Sequence, residues 1–190
     1  FIEKANRGET VSLSLAIRTG NVDDFMNQGM TANFVSAMLN KGTKGRSRQA
    51  IEDALSEIKS SVYFSGSNGK VFANINSTKE HLKAALELMT DMIKNPNFDS
   101  SELEKIKTER LARLEASASD PQFLAAQRMS QINQFFPKGH PNYNPSFEEQ
   151  VEMIKAVSVD KLQAYYNAFY GISNNASLVA IGTMDVQMVK

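Results

Sequence analysis

The chain has 190 residues, with 21 lysines and arginines balancing 21 aspartates and glutamates, and no cysteine. That balance excludes the basic surplus on which nucleic acid binding depends. The missing thiols exclude a disulfide framework and a thiolate metal site, and no apolar run approaches the roughly eighteen residues of a membrane span.

Taken in chain order, residues 10–18 alternate, with Val11, Leu13, Leu15 and Ile17 against Ser12, Ser14 and Arg18. Period two over this length predicts a half-buried strand, closed by Gly20 and Asn21. Residues 31–40 place Phe34, Val35, Met38 and Leu39 at helical spacing before "KGTKG" breaks the chain. Ser47 is placed to cap a helix bearing Ile51, Ala54, Leu55 and Ile58. "SVYFSGSNGKVFANIN" reads as a hairpin turning at Asn68-Gly69, residue types that tolerate the positive φ of a tight turn.

Three helices follow in series. Leu82, Ala85, Leu86, Met89, Met92 and Ile93 form an apolar stripe stopped by Asn95-Pro96. Asp99 with Glu102 resembles a capping box and opens a helix carrying Leu103, Ile106, Leu111 and Leu114. Asp120-Pro121 is a further start signal, a carboxylate before a proline at the first helical position. "FFPKGHPNYNPSF" is a loop. Ser158 then starts a helix bearing Leu162, Tyr165, Tyr166, Phe169 and Tyr170, ended by Gly171. The run "ASLVAIG" over 176–182 is expected to be a buried strand. A few strands beside a larger set of helices predicts an α+β fold, a mostly antiparallel sheet with several helices packed on one face. With no internal linker, residues 1–190 are read as one domain. The start at Phe1 suggests that it was excised from a longer multi-domain chain.

The order of these motifs resembles the insulinase, pitrilysin and mitochondrial-processing-peptidase family of zinc peptidases. The likeness is carried by "GETVSLSLAIRTGN", "MLNKGTKGRSRQAIEDAL", "NPNFDSSELEKIKTERLARLEASASDP" and "FPKGHPNYNPSFEEQVEMIKAVSVDKLQAYYNAFYG". It implies the metallohydrolase fold shared by LuxS and the mitochondrial processing peptidase. Active domains of that family carry His-x-x-Glu-His just before the "ML" of the turn: two histidines on one helix face hold zinc, and the glutamate activates its water. A third ligand, a glutamate, comes from a later helix. Carried over by position, the histidines fall on Asn33 and Ala37, the general base on Ser36 and the third ligand on Arg113. None can serve: an amide is a poor ligand beside imidazole, serine is too short and weak a base, alanine has no donor, and a guanidinium repels a dication. The resemblance therefore implies a degenerate, non-catalytic copy with no cofactor of its own, and zinc held by another domain or subunit.

Other candidates are weaker. His81 and His140 are the only two histidines and are not at ligand spacing. Glu102, Glu104, Glu109 and Glu115 alternate with lysine and arginine, the pattern of a solvated helix face. The tyrosines of the last helix read as core. "SGSNG" lacks the pattern of a phosphate loop, and no serine has a partner that would make it a nucleophile. The family's oxyanion-stabilising arginine and tyrosine are also missing, since Phe135 follows Arg128 where the tyrosine would stand. Strand addition of an unfolded peptide to an edge strand is expected at Val71, Ala73 and Ile75. The expected partners are other domains of the same chain or a homologous subunit, and an unfolded peptide. The alternative is a scaffold domain in a complex with no peptidase activity. The family's bacterial members suggest the periplasm, with the cytoplasm as the other option.

Overall fold

A computed structural model describes residues 9–67, 69–170 and 176–183. Strand β1 (Thr10–Arg18) leads through a short 3-10 turn at Val22–Phe25 into helix α1 (Gly29–Met38). A small ribbon, β2 (Gly42–Thr43) with β3 (Arg46–Ser47), forms the Lys-Gly-Thr turn and delivers helix α2 (Arg48–Glu57). The hairpin β4 (Ser61–Ser67) and β5 (Lys70–Thr78) is followed by α3 (Leu82–Lys94), α4 (Ser100–Ser117), α5 (Pro121–Ile132), α6 (Phe147–Lys155) and α7 (Val159–Phe169), and β6 (Ala176–Gly182) comes last. The fold is α+β.

The main sheet runs β4-β5-β1-β6, with every neighbouring pair antiparallel. Its inner face carries Val11, Leu13, Val62, Phe64, Val71, Ala73 and Ile75, all buried under the helices. Fully buried Phe34, Met38, Leu82, Met92 and Leu162 meet them from α1, α3 and α7. The opposite face, set by the alternation of the same strands, stays open. It carries Ser12, Ser14, Asn74 and Asn76 in the middle, Tyr63 and Phe72 on the hairpin, and Val179 and Ile181 on β6. Ser12 donates to Asn76 and Ser14 to Asn74 across the strands, each at 2.8 Å. Arg18 and Lys70 face each other at one end of this surface, and its centre bears no charge.

Most helix starts follow from their caps. Ser47 accepts from the Ala50 amide, Asp99 from Ser101 and Glu102, Asp120 from Gln122, and Ser158 from Lys161. Three sequence expectations need correction. Asp99 caps α4, but Glu102 is drawn sideways to Lys105 at 2.6 Å and Arg48 at 3.9 Å instead of returning to the cap as a box would require. Helix α6 begins at the last residue of the 135–147 loop and fills a stretch to which the sequence reading assigns no element, although Ser146 and Glu149 form a complete capping box at its start. The run 176–182 is a strand but not a buried one. Among the described residues β6 pairs only with β1 and leaves Leu178, Val179 and Ile181 exposed. The expected turn at Asn68-Gly69 falls partly outside the described residues; Gly69 has φ +86°, as such a turn needs.

The tyrosine-rich helix is core. Tyr165 and Phe169 pack their rings against Phe25, while Tyr166 lies edge-on to Phe98 and donates to the Ile93 carbonyl at 2.5 Å. Burial pushes the Tyr165 phenol up to about 12 and raises that of Tyr170 as well.

Candidate functional site

The helix that would carry zinc ligands is α1, which packs along β4 and crosses α7. Its apolar residues Phe34, Val35 and Met38 point into the core. Ser36 is also buried, at 3% exposure, with its hydroxyl donating to the Asn33 carbonyl at 3.1 Å. A Cβ built on Gly66 of β4 would stand 3.2 Å from the Ser36 Cβ. The position expected for the general base thus holds a small side chain, hydrogen-bonded within its own helix and packed tightly on the hairpin. Asn33 and Ala37 lie on the same helix, one turn apart, and neither offers an imidazole.

The cation facing this helix comes from Arg110 of α4, not from Arg113. Arg110 Nη2 donates to the Asn33 carbonyl at 3.2 Å, and its guanidinium lies 4.1 Å from the centre of the Phe34 ring, a cation–π contact. Burial, and after it the like charge of Arg113, lowers the Arg110 pKa from its ordinary value. Arg113 stands one turn further on with its side chain 81% exposed, 4.0 Å from Glu109. The two arginines share a helix and nearly a face, so counting along the sequence could not choose between them. Arg110 thus sets a positive charge against the helix on which the family's histidines were expected. Among the described residues no group of three or more His, Asp or Glu is arranged to hold a metal ion. His140 is used inside its own loop, accepting from the Asn142 amide at 3.0 Å and stacking on Phe136. The residues present do not fit zinc.

Beside this site runs the free edge of β4. Ser67 and Lys70 flank the two-residue hairpin loop, so Ser65, Tyr63 and Ser61 bond to β5, and the amides and carbonyls of Val62, Phe64 and Gly66 point outward. Asn40, just past the end of α1, fills the middle of that edge. Its Nδ2 donates to the Phe64 carbonyl at 2.9 Å, and its Oδ1 accepts from the Phe64 amide at 2.8 Å. The same Nδ2 lies 3.2 Å and 3.4 Å from the Ser36 and Ala37 carbonyls at the helix end; Ala37 also accepts the Asn40 backbone amide, while among the described residues no backbone amide takes Ser36. One amide side chain therefore ends the helix and stands in for a neighbouring strand. Sequence reasoning missed both Asn40 and Arg110. For Asn40 a signal existed, because asparagine directly after a helix is a common stop.

Val71, Ala73 and Ile75, expected on a peptide-accepting edge, lie elsewhere. β5 is paired on both sides, and the three side chains are in the core. The edges of the sheet are β4 and β6.

Comparison with known proteins places this geometry. A curated relative from Helicobacter pylori, described as the non-peptidase homolog YmxG, is 29% identical over 119 residues, which are 63% of this chain and 28% of that protein. Among solved structures, a peptidase M16 inactive domain from Pseudomonas fluorescens superposes with a TM-score of 0.78 at 20% identity, over 97% of this chain and 44% of that one. A Helicobacter pylori protease superposes at 0.76 and 15% identity, over 96% and 43%. A mutant of the ferredoxin protease FusC, in complex with Arabidopsis ferredoxin, superposes at 0.69 and 18% identity, over 96% and 19%. The chain therefore spans less than half the length of each. The family model for insulinase, peptidase family M16, matches residues 1–146, and the chain belongs to that family.

Proposed function

We propose that this is a non-catalytic domain of an M16 protein, forming one wall of a chamber in which an extended peptide is held. The observation that carries this reading is the filled catalytic helix: Ser36 is sealed against β4, and the Arg110 cation lies over Phe34. Zinc and peptide hydrolysis then belong to another domain of the same protein or to a homologous subunit. The open face of the sheet supplies the wall. Its uncharged serines and asparagines offer hydrogen bonds without selecting a sequence, and Tyr63 and Phe72 offer apolar contact. The family's edge-strand mode is hindered on β4, where Asn40 already takes the Phe64 backbone.

The test is binding of unstructured peptides to the full-length protein, with Tyr63→Asp and Phe72→Asp on the open face. Both side chains are exposed, so stability should change little. Peptide affinity should fall at least severalfold in each variant. Affinity that is unchanged in both would refute the wall. The description of the Helicobacter relative as a non-peptidase favours a second reading, an assembly scaffold. Copurification with an M16 subunit that has an intact His-x-x-Glu-His and cleaves peptides would exclude it.

A further inference from the structure

We propose that Arg110 anchors a carboxylate-binding site over the former zinc position, where its guanidinium receives the carboxylate of a bound peptide. The inference rests on the peptide-holding function proposed above and adds the chemistry of the group held.

Three observations converge. First, Arg110 has a fixed seat. The Phe34 ring lies beneath the guanidinium at 4.1 Å, and the Asn33 carbonyl accepts one donor at 3.2 Å. A seated planar fork loses little freedom when it takes a two-oxygen acceptor. Second, the fork is otherwise unused. Among the described residues no carboxylate lies within ion-pair distance of it, and no second acceptor takes its remaining donors. The contrast with its neighbours is informative. Arg48 is paired with Glu52 at 2.7 Å, and Arg18, Arg46 and Arg128 are exposed and can be hydrated. Arg110 is part-buried with neither remedy in full. Third, the surroundings raise the local positive charge instead of cancelling it. Arg113 is close enough to disfavour the charged form of Arg110, and burial disfavours it more. A carboxylate arriving here gains charge-assisted, bidentate hydrogen bonds and relieves both penalties. A zinc ion and a guanidinium both attract peptide oxygens, but the guanidinium has no bound water to activate, so this site holds without cutting.

The experiment measures affinity of the full-length protein for one unstructured peptide in three forms: with a free C-terminal carboxylate, with that end amidated, and amidated with a single internal glutamate. The free form should bind about tenfold or more tighter than the amidated form, from one charge-assisted pair. The preference should shrink toward one in Arg110→Gln and survive in part in Arg110→Lys, which keeps the charge but not the fork. An internal-glutamate peptide as tight as the free form would support the site and identify a side-chain carboxylate as its source. Equal binding of all three forms to the unaltered protein would overturn the carboxylate site and leave peptide holding intact, whereas no binding of any form would overturn peptide holding itself. If Arg110→Gln fails to fold, the comparison of peptides on the unaltered protein together with Arg110→Lys still decides.

Discussion

Replacing Asn40 with alanine is expected to cost about 2–4 kcal/mol of folding stability. The figure follows from the bonds that the amide makes. Removing it strands the Phe64 N–H and C=O, which it holds at 2.8 Å and 2.9 Å, and uncovers the Ser36 carbonyl at the end of α1. A buried polar group left without its partner costs about 1–3 kcal/mol. These groups are part-buried, so water repairs some of the loss, and the lower half of that range applies to each strand group, with a few tenths for the helix end. At roughly 2–4 °C per kcal/mol for a chain of this size, Tm should fall by about 4–16 °C. Asn40→Asp is no rescue, because it keeps an acceptor for the Phe64 amide but sets a negative oxygen against the Phe64 carbonyl. Urea unfolding gives the free energy, and hydrogen exchange at the Phe64 amide gives the local effect, which should quicken beyond what the global loss accounts for. The freed β4 edge should also promote concentration-dependent pairing between molecules in sedimentation. A loss below about 0.5 kcal/mol with unchanged Phe64 exchange would refute the view that this side chain secures the edge.

Gly66→Ala should lose about 1–3 kcal/mol by overpacking, because the new methyl would stand 2.9 Å from the Lys70 carbonyl and 3.2 Å from the Ser36 Cβ; unchanged thermal unfolding would show that the α1–β4 contact is looser than described. The Glu149 carboxyl is held down at about 2, first by Lys138 at 2.6 Å, then by the Ser146 amide and the Tyr143 hydroxyl. Its folded value lies below its unfolded one, so its stabilising contribution is complete above the ordinary carboxylate range and is lost as pH falls from about 4.3 through about 2. Acid unfolding monitored in Glu149→Gln should therefore be flatter over that window, and an identical slope would contradict the assignment. Restoring the motif as Asn33→His, Ser36→Glu and Ala37→His should not yield a protein that retains one zinc through dialysis. The glutamate would be forced into a site only 3% exposed, and Arg110 remains in place; elemental analysis showing one tightly held equivalent would refute this.

Much of the fold was legible because its signals are local. The alternation of Val11 and Leu13, the helical stripe from Leu82 to Met92 and the caps at Ser47, Asp99, Asp120 and Ser158 each act within a few residues. What escaped depends on contacts across the chain. The order of the strands decides that β5 is interior, and nothing within "VFANIN" records that β1 will lie beside it. Likewise "SLVAI" is apolar enough for a core strand, and only its place at the end of the sheet exposes it. That no His-x-x-Glu-His stands before "MLNKGT" was readable from residue types alone. The contact of Arg110 with Asn33 was not, because it spans 77 positions of sequence. Helix α6 is the exception, since Ser146 and Glu149 announced it locally and a proline-rich neighbourhood obscured them.

Helix α5 has no buried residue; only Phe123, Gln127 and Gln131 are partly covered, in a single stripe. Twelve residues are too few to stay helical unaided in water, so its persistence depends on the Asp120-Pro121 start and on that narrow line of contact. Among the described helices it has the least buried anchorage, so local opening there should cost less than opening the sheet. A protease meeting the described part of the molecule would find an early foothold at this helix, while the packed sheet stayed closed to it.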